Sequence, residues 1–372
     1  MSEIHFNKEK GCQTKLFTPG PINIPERILK EMAKPNDTHR SKPYSEMHQL
    51  VEEGLKKIMY TSNTCLISTS SATGLMEACV RNLVKNDENA LFLSIGAFGD
   101  RWYKIGIANG KTSVKEGVEW GKPITPEFAQ EVLNKDKYAV VFIQSNETST
   151  GVYNPIDDVI PIIKDFGALV CVDATSSMAG IKIEVDKLGI DVCLASVQKA
   201  FTIPPGLAVC SISQAAIEKF PQVKNRGLYF DFSDLLKKAE KHQTPSTPPI
   251  PQIRALAAQI DYILNQEGLE NRFERHAHLG KRTREWAKET NFEMFPEKGY
   301  ESNTVSTMKN SLNIDIAKMV STLLENGFRI VNGYGDLKNK TFRIGHMGEV
   351  TVKDLDEMLS VLSDIVSDLR LN

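Results

Sequence analysis

Two residues invite a chemical reading before any others. Lys199 stands in "DVCLASVQKAFTIPPGLAVC" (191–210), just after a run of small, mostly apolar residues that suits a buried strand. Gln198 and Lys199 are followed by two prolines and a glycine, which forbid a helix. An amine at the mouth of a buried strand is desolvated at a cost unless chemistry uses it. Asp173 sits in a second such run, "ALVCVDA" (168–174), 26 residues before Lys199. That spacing has room for a strand–helix–strand crossover, which sets the carboxylate and the amine side by side at one sheet edge.

The elements that must hold this pair alternate along the chain. Strand-like runs are "TCLIST" (64–69), "NALFLSIG" (89–96), "YAVVFIQSN" (138–146), "ALVCVDA", "DVCLAS" (191–196) and "LAVCSIS" (207–213). Helical spacing recurs in 46–59, 74–84 and 156–167. Strands apolar on both faces, alternating with helices, imply an α/β fold with a mostly parallel central sheet covered by helices. "QTPSTPPIP" (243–251) breaks the pattern, and a long helical segment (252–268) follows. Beyond it come charged helices and short strands, ending in the amphipathic "VKDLDEMLSVLSDIVSDLR" (352–370). The expected organisation is an N-terminal arm (1–16), a large domain (17–265) and a smaller α+β C-terminal domain (266–372).

Composition excludes several classes of function. The 372 residues are 41% hydrophobic and 25% charged, with a formal net charge of -2, so nothing argues for nucleic acid or an anionic membrane. No apolar run approaches the roughly 18–20 residues of a membrane span, and the N-terminus lacks the apolar segment of a signal peptide. Six cysteines, at 12, 65, 79, 171, 193 and 210, form no CxxC pair and have no His-rich partner segment. The expectation is a cytoplasmic protein with reduced thiols and no structural metal.

In an open parallel sheet, ligands bind beyond the carboxyl ends of the strands. After 64–69 comes "SSATG", small residues opening a helix, where backbone N–H groups and the hydroxyls of Ser71 and Thr73 can meet a phosphate. After 89–96 comes "AFGDRW" with the aromatic Phe98, and after 138–146 comes "ETSTG". Asp173 and the Gln198–Lys199 pair complete the edge. Each feature alone is ordinary: a turn, a core ring, a helix cap, a surface lysine. One cofactor needs all of them together, and that is pyridoxal 5'-phosphate. Its aldehyde forms a Schiff base with a lysine, its pyridine nitrogen needs a carboxylate, and its ring and phosphate need an apolar face and N–H or hydroxyl donors.

With these residues in hand, the chain resembles the class V, fold-type I pyridoxal-phosphate aminotransferases, in the alanine–glyoxylate and serine–pyruvate branch. The likeness runs through "LFTPGPINIPERI", "STSSATGLMEA", "GAFGDRW", "NETSTGV", "VDATSSMAG", "SVQKAFTIPPGLA", "TPSTPP" and "FRIGHMG". The resemblance implies Lys199 as Schiff-base lysine and proton shuttle, with Asp173 pairing the pyridinium nitrogen. It implies Phe98 as the stacking aromatic, Ser71, Ala72 and Thr73 as the phosphate turn, and Gln198 as a further phosphate contact. Thr148 lies where the cofactor ring hydroxyl is approached. Thr247 would reach the phosphate of the neighbouring subunit's site, making a homodimer. Arg343 would clamp the substrate α-carboxylate, and the backbone of "TPGP" (18–21) would line the substrate entrance.

Two features depart from the branch or point elsewhere. The phosphate turn reads Ser-Ala-Thr where many members have Ser-Gly-His or Gly-Thr. "HRSKPYSEMH" (39–48) also resembles phosphoserine aminotransferases, in which a His-Arg pair helps hold the substrate phosphate; the alternative for His39 and Arg40 is an interface or loop contact. The expected reaction moves an amino group between a small amino acid (serine or alanine) and a small 2-oxo acid (glyoxylate or pyruvate). Phosphoserine transamination with glutamate is the alternative. A cysteine desulfurase-like lyase is disfavoured, because no cysteine follows Cys210 and Gln198 stands where desulfurases have histidine.

Overall fold

A computed structural model describes residues 14–371. Residues 1–13, with Cys12 and most of the expected N-terminal arm, lie outside the described residues.

A seven-stranded sheet forms the centre: β1 (Thr64–Ser68), β2 (Asn89–Ser94), β3 (Thr112–Gly117), β4 (Val140–Gln144), β5 (Leu169–Asp173), β6 (Val192–Ser196) and β7 (Ala208–Ile212). The strand order is β1-β7-β6-β5-β4-β2-β3. β7 runs antiparallel to both neighbours, and every other pairing is parallel.

The reason for this layering is visible residue by residue. Leu91, Leu93, Val141, Ile143, Val170, Val172, Cys193 and Ala195 face one buried cluster. Their chain neighbours Ala90, Phe92, Val140, Phe142, Cys171, Val192 and Leu194 face the other. Successive side chains of a strand point to opposite faces, so a strand apolar at every position demands cover on both. Helices α1 (Lys42–Ile58), α2 (Ala72–Leu83), α3 (Ala97–Ala108), α4 (Ile156–Asp165) and α5 (Ile250–Asp261) supply that cover. The cluster on one face takes Leu75, Met76 and Trp102 from α2 and α3, and the other takes Val51, Leu55, Val159, Ile163 and Ile253 from α1, α4 and α5.

The expected helix over 252–268 begins at Ile250 and changes to a wider π-turn over Tyr262–Glu267. Gly268, at φ 82°, separates it from α6 (Leu269–Glu289). A third cluster joins Leu279 and Trp286 of α6 to a three-stranded antiparallel sheet, β8 (Val305–Lys309), β9 (Val331–Asn332) and β10 (Thr341–Gly345). It is completed by Leu355, Leu359 and Leu362 of α7 (Val352–Leu371). Lys15–Leu16 pairs in parallel with Phe328–Arg329, and Phe17 enters this same cluster.

Candidate active site

The carboxyl ends of the parallel strands bring the singled-out residues to one edge of the sheet. Asp173 is the last residue of β5, in register with Gln144 of β4 and Leu194 of β6. Lys199 follows β6 by three residues and is 9% exposed. Its Nζ donates to the Pro19 carbonyl, so the "TPGP" backbone meets the lysine directly. Gly20, at φ 96°, is required there: a Cβ would lie 2.5 Å from Lys199 Cδ. Burial pushes the Lys199 amine down to about 8; Arg343 adds to the shift and Asp173 opposes it.

Asp173 is 4% exposed, and its Oδ1 accepts the Thr175 N–H at 2.9 Å. Burial holds this carboxyl above the usual range, countered by that N–H and by the nearby charges of Lys199 and Arg101. Among the described residues it makes no ion pair within 4.0 Å, so the site holds a buried carboxyl with no cation paired to it. A desolvated carboxylate in that position favours a protonated nitrogen beside it.

Arg343 lies on β10, in the small sheet, 7% exposed. Its Nη1 donates to the Thr148 carbonyl at 3.1 Å, and Nε and Nη2 approach the Asn332 carbonyl at 3.4 Å. Burial pushes it down to about 10, against the opposing pull of Glu147. Its donors meet backbone oxygens, and among the described residues no carboxylate pairs with it within 4.0 Å. A buried fork of this kind suits a carboxylate brought by a ligand.

Glu147, missed by sequence reasoning although it stands in "NETSTGV", ties the start of α3, with Phe98, to the turn that carries Thr148. It is fully buried. Oε2 accepts the N–H groups of Phe98 and Gly99, each at 3.1 Å, and Oε1 accepts the Ser149 N–H and hydroxyl at 2.9 and 2.6 Å. A carboxylate at a helix N-terminus satisfies orphan donors and favours the dipole, which seats α3 and its Phe98. Thr148 Oγ1 donates to Ser176 Oγ at 2.9 Å.

Phe98 does not stand free. Tyr334 stacks on it at 5.6 Å between centroids, and the Arg101 guanidinium lies 4.8 Å from the same ring. Arg101 Nη2 also donates to the Tyr334 hydroxyl at 3.0 Å, and Arg343 lies 5.5 Å from the Tyr334 ring. Tyr334 left no sequence signal, because a tyrosine between two glycines in a polar loop has no periodicity to read.

At the β1–α2 turn, Ser71 is the exposed N-cap of α2 and makes no side-chain cap bond. The amides of Ala72 and Thr73 begin this twelve-residue helix, where N–H groups lack intrahelical partners. Gln198 Oε1 accepts from Ser196 Oγ at 2.6 Å, which orients its amide. Thr247 is exposed. Arg40, also exposed, spends its donors on Gln243 Oε1 at 2.8 Å and on the Thr244 and Pro245 carbonyls at 3.0 and 3.3 Å. In this chain, therefore, Arg40 makes a loop contact. Cys65, Cys79, Cys171, Cys193 and Cys210 are all buried and free, and burial pushes the Cys65 thiol up to about 12.

Residues 15–334 match the family described as Aminotransferase class-V. An uncharacterised aminotransferase of Methanocaldococcus jannaschii is 36% identical over 359 residues, spanning 95% of this chain and 93% of that protein. A serine–glyoxylate aminotransferase of Methylorubrum extorquens is 31% identical over 351 residues, spanning 90% and 86%. The solved alanine–glyoxylate aminotransferase of Nostoc sp. superposes with a TM-score of 0.91 at 26% identity, over 98% of each chain. A family match over most of the chain and a relative above one-third identity over nearly its whole length lead to one assignment: the chain belongs to the class V aminotransferases, enzymes that use pyridoxal phosphate.

Proposed function

We propose that this aminotransferase moves the amino group between a small amino acid, serine or alanine, and a small 2-oxo acid, glyoxylate or pyruvate, by a ping-pong mechanism. One observation carries the reading: Lys199, Asp173 and Arg343 are all buried, with Asp173 ending β5, Lys199 just past β6 and bonded to the Pro19 carbonyl, and Arg343 bonded to the Thr148 carbonyl just past β4. The serine–glyoxylate and alanine–glyoxylate activities named for two of its relatives support the substrate class.

The residues fit pyridoxal phosphate on their own chemistry. An amine pushed to about 8 by burial has a far larger neutral fraction near pH 7 than an ordinary lysine, so Lys199 is the residue that would form the Schiff base and hold the cofactor. Asp173, buried and without an ion-pair cation, suits the pyridine nitrogen. Ser71, Ala72, Thr73 and Gln198 would take the phosphate, with Thr247 of a neighbouring subunit as a further contact in a homodimer. Thr148 and Phe98 would meet the ring hydroxyl and face. When bound, the cofactor supplies an electron sink for charge developing at the substrate α-carbon.

The chain supplies the rest. Arg343 binds the α-carboxylate and so orients the α-hydrogen. Lys199 Nζ takes that proton and returns it. Asp173 keeps the proton on the nitrogen beside it. The arrangement of a large domain over 17–265 and a smaller one over 266–372 belongs to the same reading, as does a cytoplasmic location; among the described residues no helix is long and apolar enough to cross a membrane.

A matrix of amino donors and 2-oxo acceptors, with phosphoserine and glutamate included, tests the proposal. Product from serine or alanine with glyoxylate or pyruvate is expected. Turnover confined to phosphoserine and glutamate would transfer the assignment to the alternative.

A further inference from the structure

Arg272 is the largest charged side chain that the described interior encloses completely. Its acceptors are two backbone carbonyls and two side-chain oxygens, and their positions are informative. Nε donates to the Ala179 carbonyl at 2.7 Å, in the turn that follows Asp173. Nη2 donates to the carbonyl of Ala200, the residue next to Lys199, and approaches Thr202 Oγ1 at 3.4 Å. Nη1 donates to Glu267, whose other oxygen takes Arg275 Nε at 2.9 Å.

Both turns held by Arg272 are conformationally unfavourable. Ala179 lies at φ 63° and Thr202 at φ 61°, and a β-branched residue in the left-handed region is a genuine outlier. Such conformations persist when surrounding contacts over-determine them. The Thr202 N–H donates to the Lys199 carbonyl at 2.9 Å, so the outlier closes the turn that carries the lysine. The two turns also touch: a Cβ on Gly180 would come within 3.1 Å of Ala200 Cβ and 3.2 Å of His276 Cδ2.

One helical turn beyond Arg272, His276 extends the junction to the segment that follows β10. Its Nε2 accepts the Gly348 N–H at 3.0 Å, so in the neutral ring Nδ1 carries the hydrogen donated to the Arg272 carbonyl at 2.7 Å. Gly348 lies five residues after Arg343. The first turns of α6 thus bind the segments downstream of Asp173, Lys199 and Arg343 alike.

We propose that Arg272 is a positioning residue for Lys199: its guanidinium clamps the turns after β5 and β6 together and holds the strained 199–202 turn that sets the reach of the amine. The proposal rests on the reading of Lys199 as the cofactor lysine. Packing alone does not call for a guanidinium here, since an apolar side chain of like volume avoids the cost of a buried charge.

The test uses the full-length protein loaded with pyridoxal phosphate and its Arg272→Lys variant. An ammonium keeps the charge near Glu267 but lacks the fork that spans both carbonyls. The visible chromophore should shift its titration midpoint by at least about half a pH unit. kcat should fall at least about tenfold with KM for the amino acid within about twofold, because Arg343 keeps its own anchors. A folded variant with wild-type midpoint and kcat overturns the proposal. Should Arg272→Lys not fold, Glu267→Gln leaves the guanidinium in place and loosens its charge pairing. The same two readouts should then move in the same direction by less; a lowered melting temperature with both unchanged would make Arg272 a stability residue only. Lys199→Ala, alone, separates the two claims: a lysine-type chromophore that survives it removes the Lys199 reading without reference to Arg272.

Discussion

Arg343 Nη1 and the Thr148 carbonyl meet at 3.1 Å, joining the small antiparallel sheet to the turn that follows β4. The guanidinium is thereby fixed against the central sheet by a bond to a residue 195 positions away. Arg343→Lys keeps the charge and loses the fork. kcat/KM should fall at least about tenfold, about 1.4 kcal/mol, for amino donor and 2-oxo acceptor alike, because both bring an α-carboxylate. Cofactor content should stay at the wild-type level. Loss of activity toward only one of the two substrates would contradict the shared role.

The Lys199 amine, pushed to about 8 by burial, sets a pH dependence for cofactor capture. The neutral amine is the nucleophile, so capture by the cofactor-free chain should accelerate as pH rises and level off above about 8. Stopped-flow absorbance checks this, and a rate still climbing toward 10.5 would show a lysine in ordinary solvent. The same shift makes a linkage prediction. Between about 8 and 10.5 the unfolded chain binds the extra proton, so this lysine's contribution to stability improves as pH rises through that window and is least favourable below it.

Asp173→Asn keeps the shape of the site and the Thr175 contact while removing the charge. The cofactor should still bind. Turnover should drop by at least about tenfold, because the neighbouring nitrogen no longer holds its proton and the electron sink weakens. A single-turnover measurement on each half-reaction reads it, and a decrease smaller than that would remove the assigned role.

Arg40→Ala should loosen the 243–245 segment rather than delete a substrate ligand, since Gln243, Thr244 and Pro245 take its donors. Serine and alanine turnover should fall together by no more than about fivefold, in line with about 1 kcal/mol of lost hydrogen bonding. Collapse of phosphoserine turnover alone would instead assign Arg40 to a substrate phosphate.

The central strands were legible in the chain because they are buried on both faces, which leaves an unbroken apolar run such as "YAVVFI". β3 was not, since it is the sheet's polar edge, with Thr112 and Lys115 exposed or half-exposed, and its pairing with β2 comes from backbone bonds. The Asp173 and Lys199 pair could be read because strand ends in a parallel sheet converge by topology. Tertiary structure alone decided what holds the pair. Pro19 reaches Lys199 across 180 residues, and Arg272 reaches Ala200 across 72. In both bonds the acceptor is a main-chain carbonyl, and a carbonyl is the same at every position, so no residue type marks the partner in advance. Tyr334 over Phe98 has the same origin: a contact between two loops is specified by how the sheets pack, not by any spacing within either loop.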